Sequence, residues 1–375
     1  MHGGANFYRN TPVNARRYLE ADRSRADDYY LTEGTGLAER FSASPTLGVR
    51  HEGGLSGNEY EAWVAGVDPV TGVPKGHLRK SENAVRFVEI TVNGPKSWSL
   101  GAAIHPDISA AYDAAQERAA EQIIGWLASH ATTRIGSRGA QVQVPVEEIE
   151  AVTVRHYTSR TGDPHRHLHL QVNARVRAEG RWYALHTVGV RDSLDAINGI
   201  GHAAVMTDPG FRDALAAHGY TLDADGELTQ MREYVDAFSQ RTAQIERNLK
   251  RYEAAWKRSN AGQEPGPALR QKWDHQAWND ARPGKIVPKD GAEITAAWLA
   301  ELRALGFRQP AGPVLAVSVR PGELDRDRAV ETVLARLGTR RSAWNAADIR
   351  GEVEQHLTRT GSSRRPPYGS NWPKI

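Results

Sequence analysis

The side chains best suited to chemistry lie in one short segment, HYTSRTGDPHRHLH (156–169), which holds four of the chain's fourteen histidines. Side chains of a β-strand alternate between its two faces, so His165, His167 and His169 are expected on one face and the intervening leucines on the other. The leucine face suits a core, whereas adjacent imidazoles are costly to bury without partners. The Gly-Asp-Pro turn would bring His156 back beside the H-x-H pair. The spacing favours a metal site formed by His156, His167 and His169 over a merely polar sheet face.

Two chemistries could use three imidazoles. Ligand sets without a protein carboxylate leave coordination positions open, which suits a catalytic metal better than a structural one. The first chemistry is oxidation by non-haem iron, which needs a carboxylate or a further histidine as ligand. The second is phosphoryl transfer, in which the metal polarises a phosphate and a nucleophile attacks it in line. The residues alone leave both open.

Tyrosines near the N-terminus could supply the nucleophile for phosphoryl transfer. Tyr18 follows Arg16 and Arg17 in a predicted helix, and Tyr29 and Tyr30 follow a charged stretch. A phenol has a pKa near ~10, so a metal and neighbouring cations would help it attack as phenolate. The alternative is that these tyrosines are ordinary packing residues.

The elements that must position these side chains can be predicted from hydrophobic periodicity and turn signals. Strands are predicted at 5–8, 85–92, 142–146, 151–156 and 165–178. Helices are predicted at 14–21, 107–129, 195–206, 210–218, 236–257, 268–281, 292–305 and 327–337. Residues 31–84 are dominated by turn signals. The stretch from Gln355 onward has no acid and several arginines, which predicts a basic disordered tail.

Composition narrows the class of protein. The 375 residues carry a net charge of +3, with 39% hydrophobic and 25% charged residues, as in a globular protein of two or three domains. The absence of cysteine excludes disulfide scaffolds, zinc fingers, iron–sulfur clusters and thiol nucleophiles. No run approaches the ~20 apolar residues of a membrane helix, and no secretory signal is recognisable, so we expect a cytoplasmic protein without a membrane segment.

Four motifs resemble, in order, those of the conjugative relaxases of the F-plasmid type. This TrwC-like family comprises HUH endonucleases with three histidines and a tyrosine nucleophile. The similarity covers about residues 5–307, and the three-histidine block is its most specific part. The matching segments are RRYLEADRSRADDYY (16–30), ITVNGPKSWSL (90–100), HYTSRTGDPHRHLH (156–169) and the helices within 210–249.

This resemblance implies the fold and the activity. The implied fold is α+β, an antiparallel sheet palm with flanking helices and a C-terminal helical segment that closes over DNA. The implied activity is nicking and strand transfer of single-stranded DNA at a transfer origin in conjugation. A tyrosine attacks with the help of Mg²⁺ or Mn²⁺ and leaves a 5′-phosphotyrosine and a free 3′-hydroxyl. The implied domains are a catalytic one at 1–235, a DNA-clamping segment at 236–308, and a linker or truncated further domain at 309–375.

The resemblance also assigns residues. Tyr18 is the expected first nucleophile, and Tyr29 or Tyr30 is the alternative. Glu89 takes the place of a family aspartate and would orient a metal histidine or accept the tyrosine proton, while His165 is a spare second-sphere group. His156, His167 and His169 match the family's metal ligands. The expected DNA-binding residues are Arg16, Arg17, Lys96, Arg160, Arg247, Lys250 and Arg251.

Besides Glu89, the sequence departs from the family at two further points. The first tyrosine position holds the single Tyr18 where the family usually has a pair, and its spacing to Tyr29 is longer. The chain has no G-x-x-x-x-G-K-[ST] phosphate loop, so no helicase is expected within it.

Three alternatives stay open at this stage: a rolling-circle replication initiator, a non-haem metal enzyme that uses the H-x-H site, and a DNA-binding module. The expected partners are single-stranded DNA and relaxosome accessory and coupling proteins, with a monomeric chain.

Overall fold

The computed structural model describes residues 4–23, 37–78, 80–280, 291–315 and 324–360. The strands are β1 (Ala5–Arg9), β2 (Ala38–Ser44), β3 (Gly48–Leu55), β4 (Val85–Asn93), β5 (Thr132–Ile135), β6 (Val142–Pro145), β7 (Ile149–Thr158), β8 (Pro164–Asn173), β9 (Arg175–Ala178) and β10 (Arg181–Ala184). Six of them form one antiparallel sheet in the order β1-β4-β8-β7-β2-β3. The other four form two small hairpins, β5-β6 and β9-β10.

Helices cover both faces of the sheet. They are α1 (Pro12–Arg23), α2 (Gly57–Ala65), α3 (Lys96–Ile104), α4 (Pro106–His130), α5 (Thr187–Asp192), α6 (Leu194–Met206), α7 (Pro209–Ala217), α8 (Gln240–Ser259), α9 (Pro267–Asn279), α10 (Gly291–Ala304), α11 (Arg326–Arg340) and α12 (Ala346–Arg359), with a 3-10 helix at Thr229–Tyr234. Among the described helices, none combines the length and apolar character needed to span a bilayer.

Alternation along the central strands produces two separate cores. Leu168, Leu170 and Val172 of β8 point to the main apolar cluster, which α4 and α6 cover. The opposite face carries a smaller cluster under α1 and α2, and the polar side chains of β8 continue along that same face. The predicted α+β fold with an antiparallel sheet and flanking helices is therefore confirmed.

Three elements lie in the region that we interpreted as turns: β2, β3 and α2. Strand β2 occupies an inner position of the sheet without an apolar repeat because its buried Arg40 pairs with Glu150 of β7 at 3.2 Å, and Lys75 also contacts Glu150. Helix α2 carries a recognisable start signal, the capping box of Ser56 and Glu59. Because buried ion pairs replace apolar side chains in β2, its hydrophobic pattern does not indicate a strand.

The chain beyond residue 309, predicted as a linker or truncated further domain with a disordered tail, contains two helices, α11 and α12. Helix α12 extends to Arg359 and packs along α6, where the two backbones approach closely at Gly199 and Gly351. A Cβ atom at Gly351 would lie 2.5 Å from the carbonyl oxygen of Asp195. Residues 346–359 are therefore a helix packed against α6, and the prediction of a disordered tail from Gln355 onward is wrong as far as Arg359. The rest of that tail, beyond Thr360, lies outside the described residues. The division into three domains stays a prediction.

We predict that Gly351→Ala lowers the free energy of unfolding by about 1–3 kcal/mol, because the new methyl group meets backbone atoms of α6 that cannot move aside. The matched control is Gly338→Ala in α11, where a Cβ atom meets open space, and alanine should be neutral or stabilising by up to ~1 kcal/mol. Urea denaturation of both variants measures the difference. Equal stabilities for the two variants would contradict the close packing of α12 on α6.

Candidate active site

The sheet brings the three histidines of the motif together. In the β7-β8 register His156 lies directly opposite His167, and His169 is two residues farther along the same face of β8. Their ring centroids are 5.4 Å apart for His156 and His167, 4.8 Å for His156 and His169, and 4.9 Å for His167 and His169. The spatial cluster that the spacing indicated is thus present, and the assignment of its members as metal ligands stays a prediction.

Second-sphere contacts direct the Nε2 atoms of two of these rings towards one point. His167 Nδ1 lies 2.8 Å from the carbonyl oxygen of His165, and His169 Nδ1 lies 3.1 Å from Glu89 Oε1. The carbonyl acceptor favours a proton on His167 Nδ1, which leaves the lone pair on its Nε2 atom, 3.2 Å from His169 Nε2. The Glu89 carboxylate lies close to His169 Nδ1 but outside hydrogen-bond geometry. Two imidazole nitrogens that bind one cation at about 2.1 Å each are separated by roughly 3.0–3.4 Å. The pair therefore has the separation that a metal requires.

Burial keeps two of the imidazoles, His156 and His167, neutral. It lowers the pKa of His167 to about 3, with a further contribution from the neighbouring charge of His169. Burial also holds the pKa of His156 well below its usual value, again helped by His169 and His167. Neutral imidazole is the form that binds a metal, because protonation removes the lone pair. The cluster is thus ready to accept a cation near neutral pH.

Glu89 sits on β4 beside this cluster. Its Oε1 faces His169, and its Oε2 accepts a hydrogen bond of 3.1 Å from the Nε2 atom of Gln171, its direct partner in the β4-β8 register. Burial alone would raise the pKa of Glu89, but the His169 charge and these hydrogen bonds outweigh it and lower the pKa. Both carboxylate oxygens have partners within the site. Of the two predicted roles for Glu89, this geometry supports the orientation of a histidine.

Tyr18 lies on α1, above the part of the sheet that leads to the histidines. Ala15 and Leu19 of α1 belong to the same apolar cluster as Val154 of β7, and His156 continues that face two residues farther along. The Tyr18 side chain is 53% exposed, so its hydroxyl is accessible to a large substrate. The alternative nucleophiles, Tyr29 and Tyr30, lie outside the described residues.

Arg16 does not flank Tyr18 as the sequence suggested. Its guanidinium contacts Glu61 at 2.9 Å and Asn58 at 2.7 Å, which ties α1 to α2. At 100° per residue, Arg16 and Tyr18 point about 160° apart around the helix. Tyr18 therefore projects from the flank of α1 that faces away from α2, while Arg17 is exposed. DNA contacts by Arg16 and Arg17 stay predictions.

Lys96 is the first residue of α3 and contacts the β7-β8 hairpin, which carries the histidines and is called the histidine hairpin below. Its Nζ donates a 3.0 Å hydrogen bond to the carbonyl oxygen of Pro164, the first residue of β8. Burial lowers the pKa of Lys96 to about 8, although Asp163 partly offsets this effect. Arg160 is half-buried in the turn between β7 and β8. Lys96 and Arg160 thus lie at this hairpin, and their contact with DNA stays a prediction.

Two later helices attach to the same turn. The backbone N–H of Gln240 at the start of α8 donates to Asp163 Oδ2 at 3.1 Å, and Trp298 Nε1 of α10 donates to the carbonyl oxygen of Gly162 at 3.0 Å. Helix α8 therefore begins beside the histidine hairpin. The predicted DNA-binding residues Arg247, Lys250 and Arg251 are all exposed along α8.

A second group of metal-binding side chains lies off the sheet. His105, Asp107 and His218 offer ligand atoms within 4.8 Å of one another, and His218 Nε2 contacts the Asp107 carboxylate at 2.8 Å. The rings of His105 and His218 are stacked with centroids 3.8 Å apart. Two imidazoles on one cation have centroids about 4.5–5.2 Å apart, given a bond of about 2.1 Å. Both groups suit a divalent metal chemically. The ring spacing favours the sheet site through the two pairs that include His169, at 4.8 and 4.9 Å, while the His156–His167 spacing of 5.4 Å is slightly longer than this range.

The buried neutral histidines predict acid sensitivity of the metal-free protein. The pKa values of His156, His165 and His167 are all lowered from the usual 6.5 on folding, chiefly by burial. Below pH 6.5 the unfolded chain therefore binds protons that the folded chain does not, and the free energy of unfolding falls as pH falls. Each such histidine contributes up to about 1.4 kcal/mol per pH unit.

Urea denaturation in chelator at pH 7.5 and 5.5 measures this loss. We expect His165→Gln to reduce the pH dependence and His275→Gln, at an exposed position of α9, to leave it unchanged. An identical pH dependence in the parent and in His165→Gln would contradict a lowered pKa of the half-buried His165.

The chain matches one protein family and several solved structures. The family model described as TrwC relaxase matches residues 12–305. Solved structures with a similar fold include the conjugative relaxase TrwC with oriT DNA in a copper-bound form (TM-score 0.57, 22% identity, 82% of this chain and 99% of that chain) and a metal-free form (0.54, 22%, 81% and 99%). A third is TrwC with a 27-mer DNA that comprises the recognition hairpin and the cleavage site (0.54, 20%, 81% and 99%). None of the curated proteins matches the chain.

Proposed function

The chain belongs to the TrwC relaxase family, and from this premise we propose that Tyr18 cuts one DNA strand at a transfer origin and becomes covalently linked to it. The protein is a relaxase, an enzyme that nicks DNA in conjugation. One observation supports the mechanism: the Nε2 atoms of His167 and His169 face each other at 3.2 Å, with the His165 carbonyl oxygen at His167 Nδ1 and the Glu89 carboxylate 3.1 Å from His169 Nδ1.

His156, His167 and His169 would hold the divalent metal, which we propose to be Mg²⁺ or Mn²⁺. Burial keeps His156 and His167 neutral, and a carbonyl oxygen accepts at His167 Nδ1, so the donor set fits a cation. Three imidazoles would bind later transition metals even more tightly, so the choice of ion depends on its supply. When bound, the metal would polarise the scissile phosphate and stabilise the charge that develops on it.

The reaction is a transesterification that conserves the phosphodiester bond energy. The hydroxyl oxygen of Tyr18 attacks the phosphorus in line, a bond from tyrosine to phosphorus forms, and the bond to the 3′ oxygen breaks. The 3′ oxygen takes a proton and leaves as a free hydroxyl. Because both oxygens of Glu89 have partners, we assign the phenolic proton to solvent rather than to Glu89. Glu89 then orients His169.

The helices after the sheet would bind the strand. Helix α8 begins at the turn that follows His156, and its exposed cations, Arg247, Lys250 and Arg251, could contact phosphates without reading sequence. We propose that residues 236–308 act as the clamping segment of a catalytic domain at 1–235. Arg17, Lys96 and Arg160 would add contacts closer to the scissile phosphate.

Partners and location follow from the same proposal. The substrate would be single-stranded DNA at a transfer origin, processed by a monomer in the cytoplasm together with accessory and coupling proteins of the relaxosome. Tyr29 or Tyr30 would serve a second strand-transfer step or replace Tyr18 as the first nucleophile. Family membership does not favour the replication initiator or the non-haem metal enzyme over the relaxase.

The test uses the full chain with pooled single-stranded oligonucleotides from the transfer origin of its own element, in Mn²⁺, on a denaturing gel. We expect a slower-migrating protein–DNA adduct that a chelator prevents. A 3′-end label should stay with the protein, while a 5′-end label should leave on a shorter fragment. The pool must be verified to contain the cognate strand. A protein that then binds metal and DNA but forms no adduct would contradict the proposal and favour a DNA-binding module.

A further inference from the structure

A buried chain of hydrogen bonds extends from α2 to the histidine cluster. The Tyr60 hydroxyl donates to Gln171 Oε1 at 2.8 Å, and Gln171 Nε2 donates to Glu89 Oε2 at 3.1 Å. Glu89 Oε1 then lies 3.1 Å from His169 Nδ1. Tyr60 is 1% and Gln171 is 3% exposed, so water does not compete for these bonds.

Each group in this chain fixes the orientation of the next. Burial and the nearby Glu89 charge raise the pKa of Tyr60, so its hydroxyl stays protonated and donates. Because that donor occupies Gln171 Oε1, the amide must turn its Nε2 atom towards Glu89. Without the Tyr60 hydroxyl the amide could flip and place its oxygen against the carboxylate, which would repel it. The carboxylate is thus held with one oxygen free for His169.

We propose that Tyr60 and Gln171 are positioning residues that hold Glu89 against His169 and thereby set how tightly the three histidines bind a divalent cation. This inference rests on the proposed metal site. Neither residue touches the cation or the DNA. They act through Glu89, whose contact keeps the proton on His169 Nδ1 and the lone pair on Nε2.

The geometry argues for this role over simple packing. Gln171 is the direct cross-strand partner of Glu89, so its amide can reach the carboxylate without distortion of the sheet. Tyr60 comes from a different layer, α2, whose Trp63 and Val64 already supply apolar packing to the small core. The Tyr60 hydroxyl is therefore not needed to fill the core, and a phenylalanine at this position would preserve the ring contacts.

The test is a titration of the full-length, metal-free protein with Mn²⁺ and with Co²⁺, with DNA absent. We expect Gln171→Leu to weaken binding about tenfold, at the low end of the 10- to 100-fold effects typical of outer-sphere partners. Tyr60→Phe should weaken binding severalfold. Tyr112→Phe, which removes another fully buried hydroxyl from the main core on the opposite side of the sheet, should leave the affinity unchanged.

A double-mutant cycle separates positioning from general destabilisation. If Tyr60 acts through Glu89, the effect of Tyr60→Phe should disappear in a Glu89→Gln background. Long-range ¹H–¹⁵N spectra should also show His169 protonated on Nδ1 in the parent and as a tautomer mixture in Tyr60→Phe. Tyr60→Phe retains the ring, which keeps the test valid if Gln171→Leu does not fold.

The outcomes distinguish this inference from the proposed function. The positioning role would be overturned if Tyr60→Phe kept the parental metal affinity and the parental His169 tautomer. It would also be overturned if Tyr60→Phe lost the same metal affinity with Glu89 and with Glu89→Gln. In either case the parent would still bind metal and form the DNA adduct. A parent protein that binds neither cation would overturn the metal site itself.

Discussion

Replacement of Tyr18 by phenylalanine is expected to abolish the covalent DNA adduct and to slow nicking by at least about 10³-fold, the scale on which nucleophile removal acts in enzymes. The substitution deletes only the hydroxyl oxygen that would bond to phosphorus. Because the Tyr18 side chain is 53% exposed, the fold and the histidine cluster should be unaffected. Gel assays of adduct formation with the cognate oligonucleotide, together with Mn²⁺ titration, measure the two properties separately.

Tyr183→Phe is the matched control, because this tyrosine lies on β10 in a small hairpin outside the central sheet. We expect it to form adduct at the parental rate. Undiminished adduct in Tyr18→Phe would assign the attack to Tyr29 or Tyr30. Loss of metal affinity in Tyr18→Phe would show that the tyrosine supports the site instead of acting as its nucleophile.

Replacement of His167 by alanine is expected to weaken Mn²⁺ and Co²⁺ binding by at least about 100-fold and to reduce adduct formation to the level seen with chelator. His167 supplies one of the two Nε2 atoms that face each other at 3.2 Å. Without it, His169 Nε2 would bind the cation more weakly. Calorimetric titration and the adduct assay check both effects.

The neighbouring His165 offers a control that is close in space. Its ring centroid lies 4.5 Å from that of His167, but its contribution to the site is its backbone carbonyl oxygen, which accepts from His167 Nδ1. Alanine preserves that carbonyl, so His165→Ala should change metal affinity less than about threefold. Equal losses in His165→Ala and His167→Ala would contradict the assignment of His167 as a ligand.

The sequence predicts the histidine cluster because strand alternation and one turn are sufficient to fix it. The side chains at 165, 167, 169 and 171 share a face by their spacing alone, and the turn at Gly162 brings His156 opposite His167. Glu89 could be identified only through the family motif, since one carboxylate in an apolar strand carries no spacing signal. The same spacing puts Gln171 on this face but does not identify Glu89 as its partner.

Tyr60 could not be predicted because its helix was not recognised. Helix α2 is nine residues long and follows the β2-β3 hairpin, in which Arg40 of β2 is buried and paired with Glu150 of β7. The capping box at Ser56 was the signal available for it. Helix α12 escaped recognition because its buried carboxylates, such as Glu352 and Glu354, pair with arginines and hide its apolar face.

The central claim is that a tyrosine becomes linked to DNA in a reaction that depends on the three histidines. Its most direct test is identification of the amino acid that carries the DNA, by protease and nuclease digestion of the adduct followed by mass spectrometry. We expect a nucleotide attached through its 5′ phosphate to Tyr18, formed by the parent with Mn²⁺ and not by His167→Ala. A DNA link to a residue other than a tyrosine, or a tyrosine adduct formed equally well by His167→Ala in chelator, would contradict the claim.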